Sequence, residues 1–294
     1  MNKTVALPAI FLAFPNSGFQ LPLFLPALVL ALIATIGILL NLSVCYITWK
    51  YWNKSTTLKS KTSILIAINA FFEILHQSGH LIFFFITITG INFIPASLAF
   101  KLEFHSTVSA NIANFLFFSM SFDRVIAVAF PLFYVQINFR FYIFCHLLAI
   151  FIFAIFILYF QIISVLAHPN YPVTGNLADL YGLPSYFDIR IFTTVFLIFA
   201  MLAHLLVGIL AKYKGNMAND KMRKLHRSLT LIVFVNIGGY FIFNIVFLTI
   251  TMVIPMFPVM IWYLSGYLAV ILNLSAAANA PILYLNRQLI KEIF

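Results

Sequence analysis

The residues best placed for chemistry are an acid and a base, Asp123 and Arg124, which stand side by side at the end of a long apolar run. Pro131 follows Arg124 by seven residues, and Tyr134 follows it by ten. Charged groups at the edge of a bilayer are costly, and those that occur there usually serve a function. The pair offers an ion pair and a cationic contact at the membrane surface. The alternative is that both side chains only anchor the end of a helix.

A second polar group lies inside another apolar run. Asn69, Glu73, His76 and His80 are spaced by four, three and four residues, which puts them on one face of a helix. A carboxyl group in mid-membrane must face the bundle interior or water. The two histidines have the spacing of two metal ligands on a helix. Because no third ligand matches them, we expect hydrogen-bonded histidines and neither a metal nor a cofactor.

Composition identifies the solvent of this chain. It has 294 residues, of which 63% are hydrophobic and 8% charged, whereas soluble domains carry about 25% charged residues. Such a chain cannot cover its surface with polar groups and needs a lipid bilayer. The net charge of +10 could suggest nucleic acid, but the cations cluster in short loops between apolar runs. We therefore expect no nucleic-acid partner.

Seven apolar segments are long enough to cross a membrane as helices. They run over Leu23–Thr48, Thr62–Ile88, Leu98–Ala129, Phe141–Ala167, Ile189–Ala211, Ser228–Ile254 and Val259–Leu285. Repeats, low-complexity tracts and soluble domains are not evident in the sequence. We predict an all-α membrane protein in which residues 1–294 form a single bundle of seven transmembrane helices.

The basic residues predict the orientation of the bundle. One set of loops and helix ends holds 14 of the 17 Lys and Arg residues, and the other set holds only Lys3, Lys101 and Arg190. The side rich in Lys and Arg is cytoplasmic, so the N-terminus is predicted to be outside without a cleaved signal peptide. Asn2 then becomes a candidate glycosylation site. Residues 286–294 fit a short amphipathic helix on the inner leaflet.

Several motifs resemble those of rhodopsin-like G-protein-coupled receptors. The Asp123–Tyr134 segment resembles the end of the third helix of these receptors, and the Asn279–Tyr284 segment resembles their N-P-x-x-Y motif with Ala280 added. Gly37–Asn41 resembles G-x-x-x-N, and Ala70–Glu73 resembles A-x-x-D with a longer acid. The small residue Gly37 also fits simple helix packing.

The resemblance implies roles for three groups of residues. Coupling to a G protein and the activation switch would fall to Asp123, Arg124, Pro131, Tyr134, Asn279, Pro281 and Tyr284. An intramembrane polar network would contain Asn41, Asn69, Glu73, His76 and His80. A ligand cavity would be lined by Glu103, Ser106, Thr107 and Asn111, unless these residues only hydrogen-bond to neighbouring helices.

The chain also departs from the common receptor pattern. Segment Lys221–Arg227 contains no acid that could hold Arg124 at rest, so we expect Asp123 to be its partner, a weaker lock and some basal activity. Ala99 stands where a disulfide-forming cysteine is usual, which predicts a more mobile outer lid. The sixth helix has no proline; Gly238–Gly239 either bends it or seals it against a neighbour. We expect irregular turns in the outer loop, about His168–Asp188.

Taken together, the segments Lys59–Thr62, Asn69–Ala70, Thr89–Pro95 and Asn279–Asn286 resemble nematode serpentine chemoreceptors, most closely the Srsx class. The resemblance implies a plasma-membrane receptor, in sensory neuron cilia for example, that binds an external small molecule and activates a heterotrimeric G protein. It implies no enzyme activity. The alternatives are a receptor for a peptide or amine transmitter, and a transporter or channel.

Overall fold

The computed structural model describes residues 8–54, 59–184, 187–214, 231, 234–247, 249 and 258–285. Almost all of these residues are helical, and the two short strands form no closed sheet. The prediction of an all-α membrane protein is therefore confirmed. The predicted C-terminal amphipathic helix, the glycosylation candidate Asn2 and the basic segment 221–227 lie outside the described residues.

In chain order, the helices are α1 (Ala9–Ala13), α2 (Leu21–Lys50), α3 (Lys61–Ile88), α4 (Ala96–Ala129), α5 (Pro131–Gln136), α6 (Phe139–Ala167), α7 (Leu177–Tyr181), α8 (Ile189–Lys214), α9 (Phe234–Phe247), α10 (Pro258–Ala277) and α11 (Asn279–Leu285). Strands β1 (Ile94–Pro95) and β2 (Pro172–Val173) pair antiparallel.

Six of the helical segments are long and apolar enough to cross a membrane, and α9 adds a shorter apolar helix within the described part of the chain. They correspond in order to the seven predicted spans, so the seven-helix bundle is confirmed. The predicted boundaries differ by a few residues. For example, α2 covers Leu21–Lys50 rather than Leu23–Thr48. Pro22 is accommodated in its first turn, and the helix continues through Trp49 to Lys50 at its other end.

Local sequence signals explain where the helices begin at the Arg124 end of the bundle. Ser60 caps α3 by accepting a hydrogen bond from the Ser63 amide, and Asn138 caps α6 by accepting from the Arg140 amide. Side-chain oxygens at this position satisfy amides that lack a helical partner. Pro131 opens α5, a position where its fixed φ and missing N–H cost nothing.

Helix α4 forms the centre of the bundle and α6 its rim. The most apolar part of α4 is 56% buried, compared with 22% for α6. The apolar core that joins the helices contains Leu65, Phe117, Leu197, Ile237, Tyr240 and Leu272. Large apolar side chains of α6 remain exposed, as expected for a lipid-facing helix: Phe141, Phe144, Phe151, Ile152, Tyr159 and Leu166. Several polar side chains of α4 therefore have their partners on other helices inside the bundle.

The outer loop is more ordered than the irregular turns we expected. Ile94 pairs with Val173 and Pro95 with Pro172, and the Ala96 amide donates to the Tyr171 carbonyl at 2.8 Å. The loop then forms α7, whose first turn is capped by the Asn176 side chain. The expected turns and irregular segments make up the rest of the described loop. The strand forms because the loop gains backbone partners from the distant segment before α4.

Two features shape the sixth and seventh helices. The seventh is interrupted at Ala278, between α10 and α11; Pro281 cannot donate the backbone bond that would continue the helix at this point. Helix α9 runs through Gly238–Gly239, and a side chain at Gly239 would collide with Ser275. Of the two interpretations of this glycine pair, the contact at Gly239 supports close packing against α10.

Candidate functional site

The end of α4 carries a buried cluster around the Asp123 carboxylate. Its oxygens accept hydrogen bonds from Thr62 at 2.9 Å, Tyr134 at 2.9 Å, Tyr142 at 2.8 Å and Arg124 Nε at 2.9 Å. The side chain is fully buried. Four donors from three helices and α5 therefore compensate one buried negative charge, as a buried carboxylate requires.

Arg124 has more partners than the sequence indicated. Its Nη2 lies 2.5 Å from Asp123 Oδ2 and 3.2 Å from the Tyr134 hydroxyl, and it also donates to the Thr62 hydroxyl. Asp123 was the only partner that we could identify from the sequence. The hydroxyl groups of Thr62 and Tyr134 each accept a hydrogen bond from Arg124 and donate one to Asp123. The four side chains therefore form a closed hydrogen-bond network.

Lys61 extends this cluster towards α5 and α6. Its ammonium group donates to the Tyr134 carbonyl oxygen and lies 4.4 Å from the centre of the Tyr134 ring and 4.9 Å from that of Tyr142. Burial, and then the negative charge of Asp123, raise the pKa of Tyr134. The hydroxyl therefore remains protonated and can donate to Asp123. Pro131 positions this tyrosine by starting α5.

A second polar cluster ties α3 to α9 inside the bundle. The Tyr240 hydroxyl lies 3.0 Å from both carboxylate oxygens of Glu73 and 3.2 Å from His76 Nδ1. His76 Nδ1 is itself 3.1 Å from Glu73. All three side chains are buried. This contact is the most direct polar link between the second and sixth transmembrane helices in the described chain.

Asparagines connect the first, sixth and seventh helices. Asn279 donates to Asn41 at 3.3 Å and accepts from Asn236 at 2.8 Å. Asn41 also donates to the Ala276 carbonyl at 3.1 Å. The link lies at the interruption before Pro281. The main chain of Tyr284 belongs to α11, whereas its side chain lies outside the described part.

The remaining members of the predicted network have different surroundings. His80 Nε2 lies 3.0 Å from Asn273 Nδ2, so this histidine has a hydrogen-bond partner on α10. Within the residues that the structure describes, His, Cys, Asp and Glu form no group of three that could hold a metal ion. Asn69 is buried, and its Oδ1 has no partner in the described chain. A side chain at Gly37 would collide with Gln77, which accounts for the glycine by packing.

A cavity of about 80 Å³ opens at the outer half of the bundle. It lies between α3, α4, α7, α8, α9 and α10. Its wall contains His76, His80, Ala110, Asn111, Asn114, Asn176, Leu177, Ala178, Tyr181, Arg190, Thr193, Tyr240, Phe243, Asn244, Phe247, Ala269, Leu272 and Asn273. Asn111 is the only one of the four predicted cavity residues in this wall.

The other three predicted cavity residues are buried elsewhere. Ser106 donates to the His76 carbonyl, and Thr107 donates to Gln161 at 3.4 Å. These contacts hold helices together, which was the alternative interpretation for this stretch. The Glu103 side chain is fully buried beside Gly175, and neither carboxylate oxygen has a hydrogen-bond partner within the described chain.

We expect Glu103→Gln to raise the free energy of unfolding by about 1 kcal/mol, because an amide of nearly the same shape never carries the negative charge that is costly to bury without a partner. Thermal unfolding of the purified protein in detergent measures this change. The matched control is Glu73→Gln, which weakens a carboxylate with partners and should lower stability. A lower melting temperature for Glu103→Gln would reveal a partner that this carboxyl group needs.

The outer loop covers the cavity and is attached to α10 by one carboxylate. Asp179 accepts hydrogen bonds from the Thr174 amide at 2.8 Å, the Thr174 hydroxyl at 2.7 Å and Trp262 Nε1 at 3.0 Å. Burial raises the pKa of Asp179, although these donors act in the opposite direction. We call Asp179, Thr174 and Trp262 the lid latch; it joins the loop to the bundle without a covalent bond.

We expect Asp179→Ala to destabilise the lid by about 1.5 kcal/mol, because three buried donors lose their charged acceptor. Hydrogen exchange at residues 171–181 should accelerate about tenfold. Asp188→Ala is the control in the same loop. This change breaks the ion pair between Asp188 and Arg190. The hydrogen bonds and positive charge of Arg190 hold the pKa of Asp188 low, although partial burial acts in the opposite direction. A partly exposed pair between near neighbours in the chain contributes little. Equal exchange in both variants would show that the latch does not hold the lid.

The sequence analysis missed several residues of these clusters: Thr62, Tyr142, Asp179, Asn236, Tyr240, Trp262 and Asn273. Tyr240 and Trp262 look like ordinary aromatic core residues in an apolar run. A usable signal existed for Asp179, because an acid next to an apolar segment needs a donor and the chain contains only seven acids. Donors on other helices are set by tertiary packing and have no local signal.

Comparison with known proteins agrees with this geometry. The family model described as serpentine type 7TM GPCR chemoreceptor Srsx matches residues 34–290, which is most of the chain. No curated protein matches it. The matched region contains the Arg124 cluster, the Glu73–Tyr240 contact and the cavity. The chain therefore belongs to the Srsx family of serpentine seven-transmembrane G-protein-coupled chemoreceptors.

Proposed function

We propose that this chemoreceptor binds a small external molecule in the outer cavity and activates a heterotrimeric G protein at the Arg124 end. We further propose the plasma membrane, including the cilium of a sensory neuron, as its location. No bond in the ligand is made or broken; the ligand acts by favouring one of two arrangements of the helices. A ligand shifts such an equilibrium only through contacts that differ between the two arrangements.

The observation that carries the proposal is the position of Tyr240 and His76. Both side chains form part of the cavity wall, and both contact Glu73 on the other side. A molecule in the cavity therefore touches the same side chains that tie α9 to α3. A ligand that binds more tightly when the Tyr240–Glu73 bond is broken releases the sixth helix from the second.

The second step links α9 to the opposite end of the bundle. Asn236 lies one turn before Tyr240 on α9 and donates to Asn279 at the interruption of the seventh helix. Movement of α9 thus disturbs the contact between the sixth and seventh helices. We propose that this movement opens the inner end of the bundle and allows Arg124 to leave Asp123 for a G protein.

Nucleotide exchange on a panel of purified heterotrimeric G proteins tests the proposal. Vesicles that contain the receptor should accelerate exchange relative to identical vesicles without it. Within the described part of the chain Arg124 is held by Asp123 and two hydroxyl groups, and such a lock predicts basal activity. Ion flux through the same vesicles is measured in parallel without G protein. Flux without any exchange on the panel would contradict the proposal and favour a channel or transporter.

A further inference from the structure

The charges in the cavity wall point to the kind of ligand that it accepts. Among the described residues that form the wall, none is an aspartate or a glutamate, and Arg190 is the only arginine or lysine. Arg190 already binds Asp188 through two hydrogen bonds of 3.1 and 2.9 Å. Its guanidinium carbon also lies 5.0 Å from the centre of the Phe247 ring. The wall therefore offers a cationic ligand no carboxylate and an anionic ligand only a neutralised arginine.

The hydrogen bonds of His80 show that its ring is uncharged. Asn273 Nδ2 donates to the Ala269 carbonyl at 2.8 Å, which fixes the orientation of this amide. The same nitrogen lies 3.0 Å from His80 Nε2. An amide nitrogen only donates, so Nε2 accepts and the ring proton sits on Nδ1. His76 is balanced by Glu73 at 3.1 Å. The histidines thus add no net charge to the wall.

Four residues of the wall keep a buried polar atom without a hydrogen-bond partner in the described chain. Asn114 Oδ1 and Asn273 Oδ1 are acceptors, whereas Asn176 Nδ2 and His80 Nδ1 are donors. The orientation of Asn176 is fixed because its Oδ1 accepts from the Ala178 amide at 3.1 Å. Buried polar groups are nearly always paired, so this set calls for a molecule with complementary groups.

Aromatic and aliphatic side chains form much of the remaining wall, and the cavity is compact. Tyr181, Phe243, Phe247 and Leu272 supply most of this apolar character. We propose that the cavity binds an uncharged, compact organic molecule with an apolar body and both a hydrogen-bond donor and an acceptor. This inference takes the cavity from the proposed function and adds the chemical class of its ligand.

Binding of four probes of similar shape tests the proposal directly. Benzamide and benzyl alcohol are uncharged, whereas benzylamine is a cation and benzoate an anion at neutral pH. Saturable binding to the purified receptor is measured by saturation-transfer NMR and by thermal shift. We expect benzamide and benzyl alcohol to bind in the millimolar range, and the two ions to bind at least about tenfold more weakly, because the wall cannot compensate their lost hydration.

Matched variants locate the site. Asn114→Ala and Asn273→Ala should each weaken benzamide binding about tenfold, since each removes one acceptor for its amide. Asn69→Ala is the control: Asn69 is also buried with an unpartnered oxygen, but it lies outside the cavity wall, and binding should not change. Melting temperatures without probe show whether each variant folds.

Three outcomes would overturn the proposal: ions that bind as tightly as the neutral probes, no saturable binding by either neutral probe, or unchanged binding in both wall variants. The G-protein proposal fails separately. Binding of benzamide without nucleotide exchange on any G protein would leave the ligand class standing and overturn the coupling. Nucleotide exchange without binding of the neutral probes would overturn the ligand class and leave the coupling standing.

Discussion

Arg124→Ala is expected to abolish nucleotide exchange on G proteins while the receptor still reaches the membrane. Arg124 belongs to the buried cluster at the end of α4, and its guanidinium group is the contact that we propose for the G protein. The variant should fold, because Asp123 keeps three hydroxyl donors from Thr62, Tyr134 and Tyr142. Exchange is measured at equal surface density of receptor.

The matched control for this prediction is Arg140→Ala. Arg140 lies at the same end of the bundle, at the start of α6, but its side chain is exposed and makes no contact with Asp123 among the described residues. Exchange should remain within a factor of about two, since an exposed charge contributes little. Equal exchange by wild type and Arg124→Ala would show that Arg124 is not the coupling residue. Equal losses in both variants would point to a general effect of positive charge.

Tyr240→Phe should increase basal exchange. The substitution keeps the ring and removes the hydroxyl that binds Glu73 at 3.0 Å. A hydrogen bond to a charged group contributes about 2 kcal/mol, which corresponds to a roughly thirtyfold change in a two-state equilibrium. If the bond exists only in the resting arrangement, its loss favours the active one by that amount. Exchange without any added ligand measures the effect.

Tyr181→Phe separates this mechanism from a general disturbance of the cavity. Tyr181 also forms part of the wall, but its hydroxyl donates to the Thr107 carbonyl at 2.8 Å and accepts from Asn111 at 2.8 Å, and both of these partners are on α4. Loss of this hydroxyl should leave basal exchange unchanged. Glu73→Gln should raise basal exchange like Tyr240→Phe, because a neutral amide oxygen accepts a weaker hydrogen bond from Tyr240. The double variant should exceed Tyr240→Phe only slightly, since both changes act on the same bond. Unchanged or reduced basal exchange in Tyr240→Phe would contradict the proposed role of this contact.

The parts of the fold that the sequence predicted are those controlled by local chemistry. Long apolar runs require helices in a bilayer because every backbone group must be satisfied internally. The interruption of the seventh helix beside Pro281 has a similar local cause, since proline lacks a backbone donor. Asp123 and Arg124 could be paired from the sequence because they are neighbours along the chain.

The parts that the sequence did not predict depend on contacts between distant segments. Thr62 and Tyr142 contact Asp123 across 61 and 19 residues, and Tyr240 contacts Glu73 across 167. The order in the outer loop arises in the same way, from its pairing with β1. Some polar residues of α4 line the cavity, and others contact neighbouring helices. The rotation of α4 about its own axis decides which residues do which, and apolar periodicity alone does not specify this rotation.

The lid latch also determines the conditions under which this receptor can be handled. The chain contains two cysteines, and both are free thiols, so hydrogen bonds rather than a disulfide form the latch. We therefore expect the lid to stay in place when the receptor is kept in dithiothreitol. Of the native thiols, Cys145 is exposed on the lipid-facing rim and Cys45 is half-buried. Replacing Cys145 therefore leaves a scaffold on which single cysteines can carry spectroscopic labels, so that helix movements can be followed directly.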